Sequence, residues 1–191
     1  VIFIIPANSQ ETIPVSNMPG VDAITQKLLD DIHNRLNTDQ AAEAEALTYK
    51  MLSSSGYIKP LAEVFYKLAQ KDEIATKVVK FYSRIIDNWP DSAWAQKAVV
   101  EVAPLLLMSG GRLEKEKDVD IIQKIWKQEA RLLTPAADAV EIGEDPELLR
   151  NEVRMNLLYL ANSSGDIERI KALTAGDTSN SRHNEEIELA K

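Results

Sequence analysis

The sequence predicts an all-α protein of stacked antiparallel helix hairpins, preceded by an extended N-terminal arm. Three observations predict it. Apolar residues recur at i, i+3, i+4 and i+7 through most of residues 21–175, the period of a helix with one buried face. Helix starts near residues 22, 58 and 92 lie about 36 and 34 apart, within the window of stacked helical repeats. Strand-like composition is confined to Val1–Ile5. The expected organisation is an arm over 1–20, a helical-repeat domain over 21–175 and a polar tail over 176–191.

The arm contains Pro6, Pro14 and Pro19, ends at Gly20, and opens on the apolar run Val1, Ile2, Phe3, Ile4, Ile5. Three readings compete. It is the tail of a secretory signal, with Ala7-Asn8-Ser9 as a small-x-small cleavage pattern. It is a strand, for which the chain offers no partner strand. Or it is an arm whose apolar residues are covered by a neighbouring subunit. The arm is preferred, because five consecutive apolar residues need cover. An exported protein that keeps an uncleaved stretch satisfies the first and third readings together.

About seven or eight helices follow from the apolar period. The first runs from Asp22 to Leu36, with Ile24, Leu28, Ile32 and Leu36 on one face. Thr38 is read as the N-cap of the second, which carries Ala42, Ala46, Leu47 and Met51 and stops at Ser53-Ser54-Ser55-Gly56. A third over 58–70 stripes Ile58, Leu61, Phe65 and Leu68. A fourth over 72–89 stripes Ile74, Val78, Phe81, Tyr82 and Ile85, and Pro90 ends it. Asp91-Ser92 caps a helix opening Ala93-Trp94-Ala95, which Pro104 must kink or end, because it cannot donate to the carbonyl of Val100. Ser109-Gly110-Gly111 is a break. A helix over 117–133 turns Ile122, Ile125, Trp126 and Leu133 inward. Asp145-Pro146-Glu147 combines an N-cap acid, a first-turn proline and an acid that complements the helix dipole. It opens a helix carrying Leu149, Val153, Leu157 and Leu160. Ser163-Ser164-Gly165-Asp166 then turns the chain into a short helix through Ile167, Ile170 and Leu173.

Composition narrows the function. With 22 basic and 30 acidic residues the net charge is −8, a sign that opposes binding to phosphate backbones. Arg112–Asp120 alternates sign and reads as solvated linker or helix start. Cysteine is absent, which excludes disulfides, thiolate chemistry and Cys-ligated zinc and leaves the compartment open. No run approaches the roughly 18 apolar residues that span a bilayer. The longest, Ala98–Met108, is interrupted by Glu101 and Pro104.

Residues 61–103 read LAEVFYKLAQKDEIATKVVKFYSRIIDNWPDSAWAQKAVVEVA. This stretch resembles a tetratricopeptide repeat of the kind found in bacterial envelope-assembly and cell-division coordinator proteins. Leu61-Ala62 stand where that family has Leu-Gly or Leu-Ala, and Phe65 where it has Tyr. Val78 occupies the usual Ala of the second helix, with Tyr82 and Ile86 following. Trp89-Pro90-Asp91-Ser92 closes the repeat, and Ala95 and Ala98 are the small residues of the next. Two departures stand out: a second helix about one turn too long for a 34-residue repeat, and looser packing around Val78.

The resemblance implies a non-enzymatic scaffold or adaptor. It would hold other protein subunits in an envelope complex, without nucleic acid, cofactor or metal, in the periplasm or otherwise exported. A cytoplasmic site is the alternative. Glu63, Tyr66, Lys67 and Gln70 would line the interaction face, and Val1–Ile5 would clamp a neighbour. The second reading is a small-ligand or lipid-binding helical domain with an apolar pocket near Leu105, Leu106 and Leu107. The third is an enzyme with two facing carboxylates of raised pKa.

Other chemistry has simpler explanations. His33 follows Asp30-Asp31, but these residues do not share a helical face. His183 lies in the polar tail without a spaced partner. Asp138, Glu141, Glu144, Asp145 and Glu147 lack the alternating ligands and central glycine of a calcium loop. Trp89, Trp94 and Trp126 fall in helix stripes or at the repeat boundary and are expected in the core. Gly110-Gly111 reads as a helix stop, and no phosphate loop, nucleophile elbow or zinc-helix motif occurs.

Overall fold

The computed structural model describes residues 22–108 and 115–175. The expected arm, with Val1, Ile2, Phe3, Ile4 and Ile5, the tail over 176–191, His183 and the Ser109-Gly110-Gly111 break lie outside them. Among the described residues there are nine α-helices, one 3-10 turn and no strand, so the protein is all-α. The helices fall into two compact units, one ending at Gly56 and the other starting at Tyr57.

The first unit is a hairpin of α1 (Ala23–Asn37) and α2 (Ala41–Ser55), which pack on each other. The Asp22 side chain caps α1, accepting from Ile24 N and Thr25 N at 2.9 Å each. Those donors, Thr25 first, hold its carboxyl below the usual carboxylate range. The buried face is Thr25, Leu29, Ile32 and Leu36, one position round from the expected stripe. Ile24 is consequently 83% exposed. Thr38 does not cap α2: its hydroxyl donates back to Asn34 O at 2.9 Å and closes α1 instead. Gln40 precedes α2 without a side-chain cap. α2 buries Ala44, Thr48 and Met51, while Ala42 and Ala46, both expected inside, are exposed.

The second unit begins with α3 (Pro60–Lys71), α4 (Ala75–Asn88) and α5 (Ala93–Met108), each packed on the next, with α3 also touching α5. α3 buries Leu61, Ala62, Val64, Phe65, Tyr66, Leu68 and Ala69. α4 is about one turn shorter than the sequence suggests. Asp72 stops α3 in extended backbone, accepts from Ile74 N at 2.9 Å and pairs with Lys77 at 2.8 Å, which makes 72–74 a connector. The expected overlong second helix is thereby corrected. Val79, not Val78, takes the buried position, followed by Tyr82 and Ile86 at i+3 and i+7. Val78 is half-buried and Ile74 exposed.

The Trp89-Pro90-Asp91-Ser92 turn is a joint. The Trp89 indole donates to Tyr57 O at 3.2 Å, and its ring lies against Tyr57 and Phe65. Ser92 Oγ donates to Trp89 O at 2.7 Å and accepts from Ala95 N at 3.2 Å. α5 does not end at Pro104 but runs on to Met108. Pro104 is exposed, and as a proline it offers no N–H to the Val100 carbonyl. Leu106 is buried, Leu105 exposed and Leu107 half-buried.

The single helix expected over 117–133 is two: α6 (Lys115–Lys127) and α7 (Glu129–Leu132), broken at Gln128. Gln128 N bonds both Lys124 O and Ile125 O, a tightened last turn. The break drops Leu132 into the core and aims its carbonyl, with that of Thr134, at Gln96 Nε2, 2.8 Å from each. Ile121, Ile125 and Leu132 are buried, whereas Ile122, Trp126 and Leu133 are half-buried. After a 3-10 turn at Val140–Ile142, Asp145 caps α8 (Pro146–Ser164) through Glu147 N and Leu148 N. Leu149, Val153, Leu157 and Leu160 are buried as expected, with α8 lying on α5. Gly165, at φ +69°, closes α8 in the left-handed conformation that glycine tolerates best. α9 (Ile167–Ala175) folds back onto α8 and buries Leu173, leaving Ile167 exposed.

Candidate interaction surface

Tyr66 on α3 is the centre of the most elaborate side-chain cluster on this unit. It is 8% exposed, and its hydroxyl donates to Glu101 Oε1 on α5 at 3.2 Å. Its ring meets the Trp94 ring at 5.0 Å between centroids and the Tyr82 ring at 5.8 Å. Lys97 Nζ stands over the same ring at 5.9 Å and pairs with Glu144, so the loop before α8 is tied to the cluster. One turn beyond Tyr66, Gln70 Nε2 donates to the Tyr82 hydroxyl at 2.9 Å. Glu63 and Lys67 form an i, i+4 pair at 2.6 Å on the same helix.

The geometry follows from periodicity. Trp94, Lys97 and Glu101 are i, i+3 and i+7 on α5, and they meet Tyr66 because α3 packs against α5. Tyr82 reaches in from α4. Trp94 and Lys97 are half-buried, Gln70 and Glu101 exposed, so the cluster opens to solvent.

Burial first, then the Glu101 charge, push the Tyr66 phenol far up from its usual value. The same two causes push Tyr82 up to about 12. Both phenols therefore keep their protons at neutral pH, the Tyr66 hydroxyl donating to Glu101 and the Tyr82 hydroxyl accepting from Gln70.

Of the residues the sequence assigns to the interaction face, Tyr66 and Gln70 enter this cluster, and Glu63 and Lys67 flank it on α3. Trp94, Tyr82, Lys97, Glu101 and Glu144 were not assigned to it. Their signal was present in the i, i+3, i+7 row on α5, where Glu101 reads as an interruption of an apolar run and Trp94 as core.

A cleft of about 300 Å³ opens at the Trp-Pro-Asp-Ser joint, lined by Lys59, Trp89, Asp91, Arg131 and Asp138 among others. Its charges are matched. Arg131 pairs with Asp91, and that bond holds the Asp91 carboxyl below its usual range. Asp138, 6% exposed, accepts from Ala93 N at 2.8 Å and from Lys59 at 3.2 Å. The acidic run is thus dispersed: Asp138 caps α5, Glu144 holds Lys97, Asp145 caps α8, and Glu147 pairs with Arg150 at 3.0 Å. Among the described residues no group of three or more His, Asp or Glu side chains is arranged to hold a metal ion. Neither this cleft nor the one between α7, α8 and α9 is lined by Leu105, Leu106 or Leu107. No described helix is long and apolar enough to cross a membrane.

No family model matches the chain, and neither a curated protein nor a solved structure matches it at a significant level.

Proposed function

We propose that the protein is a non-enzymatic helical-repeat scaffold that binds another protein through the α3–α5 face around Tyr66 and Trp94. The observation that carries this reading is the half-exposed Trp94 ring packed on Tyr66, whose own ring and hydroxyl meet Lys97 and Glu101 while Gln70 bonds the neighbouring Tyr82. A rigid aromatic anchor with charged and amide groups at its edge is the composition of an interface hot spot. Tyr66 and Tyr82 are fixed by the core below and cost little ordering entropy on association. The hairpin stack and the tetratricopeptide resemblance of residues 61–103 support the same class of activity. By that resemblance the complex belongs to a bacterial envelope and the chain to the periplasm, with Val1–Ile5 clamping a neighbouring subunit.

The test is co-purification of tagged chain from the cells that make it, comparing wild type, W94A and a deletion of residues 1–19. The deletion is expected to melt as wild type does and W94A at a lower temperature while still folded under the assay conditions, and each is expected to recover at least about fivefold less partner, the loss expected for removing a hot spot worth about 1 kcal/mol or more. Undiminished recovery with both variants would refute the assignment.

A further inference from the structure

We infer that α9 is a lid over the seam of α7 and α8, which opens as one body about Gly165 and is latched shut by Arg169. Its apolar hold is slight. α9 buries Leu173, while Ile170 is half-buried and Ile167, Ala172 and Ala175 are exposed. A cleft of about 230 Å³ remains where it sits, with Glu129, Leu133, Arg150 and Arg154 contributed by the body and Ala172 and Leu173 by α9. Segments with few buried apolar contacts are the ones that open locally while the rest of a protein stays folded. A helix of nine residues does not persist alone in water, so α9 is helical only while it is seated.

One side chain compensates for the thin packing. Arg169 Nε donates to Glu129 Oε2 on α7 at 3.1 Å, and its Nη1 donates to Asp166 Oδ2 at 2.8 Å. The guanidinium also stands 4.2 Å from the centroid of the Trp126 ring on α6. Asp166 Oδ1 accepts from Arg169 N at 3.1 Å and so caps the first turn of α9. The residue that closes the helix start is thus the one that ties the helix to α6 and α7. Neither partner of the inter-helix ion pair is sealed: the side chains of Arg169 and Glu129 are 31% and 23% exposed. Partly exposed ion pairs and a stacked guanidinium each contribute modestly, so the latch is one that breaks and re-forms.

The hinge is Gly165, at φ +69°, flanked by hydrogen bonds from Gly165 N to Asn162 O at 3.1 Å and from Asp166 N to Ala161 O at 3.0 Å. Glycine changes φ there without the steric cost that any other residue would meet. When α9 leaves, Ala172 and Leu173 leave the cleft wall with it, and the wall of Leu133, Arg150 and Arg154 opens to water. The lid is separate from the α3–α5 face and does not depend on the function proposed for it.

The experiment is amide hydrogen exchange of the full chain, read residue by residue. Amides 170–174 are expected to share one protection factor within about threefold, at least about a hundredfold below those of Val153 and Leu157 in α8. E129Q alters neither α9 nor its hinge and is expected to lower α9 protection at least about threefold. R169Q is expected to lower it at least about tenfold, with α8 unchanged in both variants. E129Q carries the test alone if R169Q loses the fold of the unit. Protection that declines stepwise toward Ala175 would mean a fraying chain end, and protection equal to that of α8 would mean opening with the whole unit. Either result, or unchanged α9 protection in E129Q, would overturn the lid.

Discussion

Tyr66 on α3 and Glu101 on α5 lie 35 residues apart in sequence and share a 3.2 Å hydrogen bond at the open edge of a buried aromatic cluster. That one contact joins the packing of the second unit to its candidate binding face. The bond and the ring are separable by mutation. Y66F keeps the stacking on Trp94 and Tyr82 and loses only the hydroxyl, a cost of about 1 kcal/mol. Y66A also removes the ring and is expected to cost about 3 kcal/mol. Urea unfolding of the two variants measures both values. A Y66A cost no larger than that of Y66F would mean that the ring packing contributes nothing.

The raised phenol values give an alkaline prediction with a definite sign. A folded-state pKa above the unfolded value of about 10 means that the folded form holds its proton more tightly. The stabilisation is complete below pH 10 and declines as pH rises toward about 12, where Tyr82 titrates in the folded chain. The melting temperature should fall steadily over that interval. Tyrosinate absorbance should show a late component that Y82F reduces.

At the other end of the scale, the carboxyls of Asp22, Asp72 and Asp91 are held low by their donors. Their stabilisation is present above the unfolded pKa of about 3.9 and is lost as pH falls below it. D72N should flatten that acid limb, which a melting series between pH 5 and 2 would reveal.

The joint at the start of α5 separates a buried cap from an exposed ion pair. Asp138 is buried and accepts from Ala93 N, so D138A should cost about 1–2 kcal/mol. Lys59, its partner at 3.2 Å, has a side chain 64% exposed, and K59A should cost less than about 1 kcal/mol. Equal losses in chemical denaturation would contradict this division.

Helix identity and order were legible because the apolar period of 3.6 residues is strong in this chain. Asp145-Pro146-Glu147 and Trp89-Pro90-Asp91-Ser92 placed two boundaries correctly. The faces were harder. In α1, Ile24 and Leu28 suggest one stripe, yet Thr25 and Leu29 are buried, because a neighbouring row on the cylinder also ends in Ile32 and Leu36. Thr38 carries the residue type of an N-cap but spends its hydroxyl on the helix before it. The break at Gln128 has no glycine or proline to announce it, and the segment after it is held by Gln96, which donates to the carbonyls of Leu132 and Thr134. At the candidate surface, Tyr66 and Gln70 were legible from the repeat pattern. Trp94 and Glu101 were not, since their meaning depends on α5 lying beside α3, a long-range contact.

Pro104 tests how that period overrides a local breaker. α5 continues through it at an exposed position. P104A would restore a donor to the Val100 carbonyl and should stabilise the protein by about 1–3 kcal/mol, read as a higher unfolding midpoint. No gain would mean that the proline costs this helix nothing.

The binding face is tested most directly by placing a photo-crosslinking residue at Gln70 and irradiating the protein in the cells that make it. A discrete protein adduct that W94A abolishes, at a temperature where W94A is still folded, is the predicted result. No adduct at Gln70, or one that W94A leaves intact, would contradict the assignment of this surface.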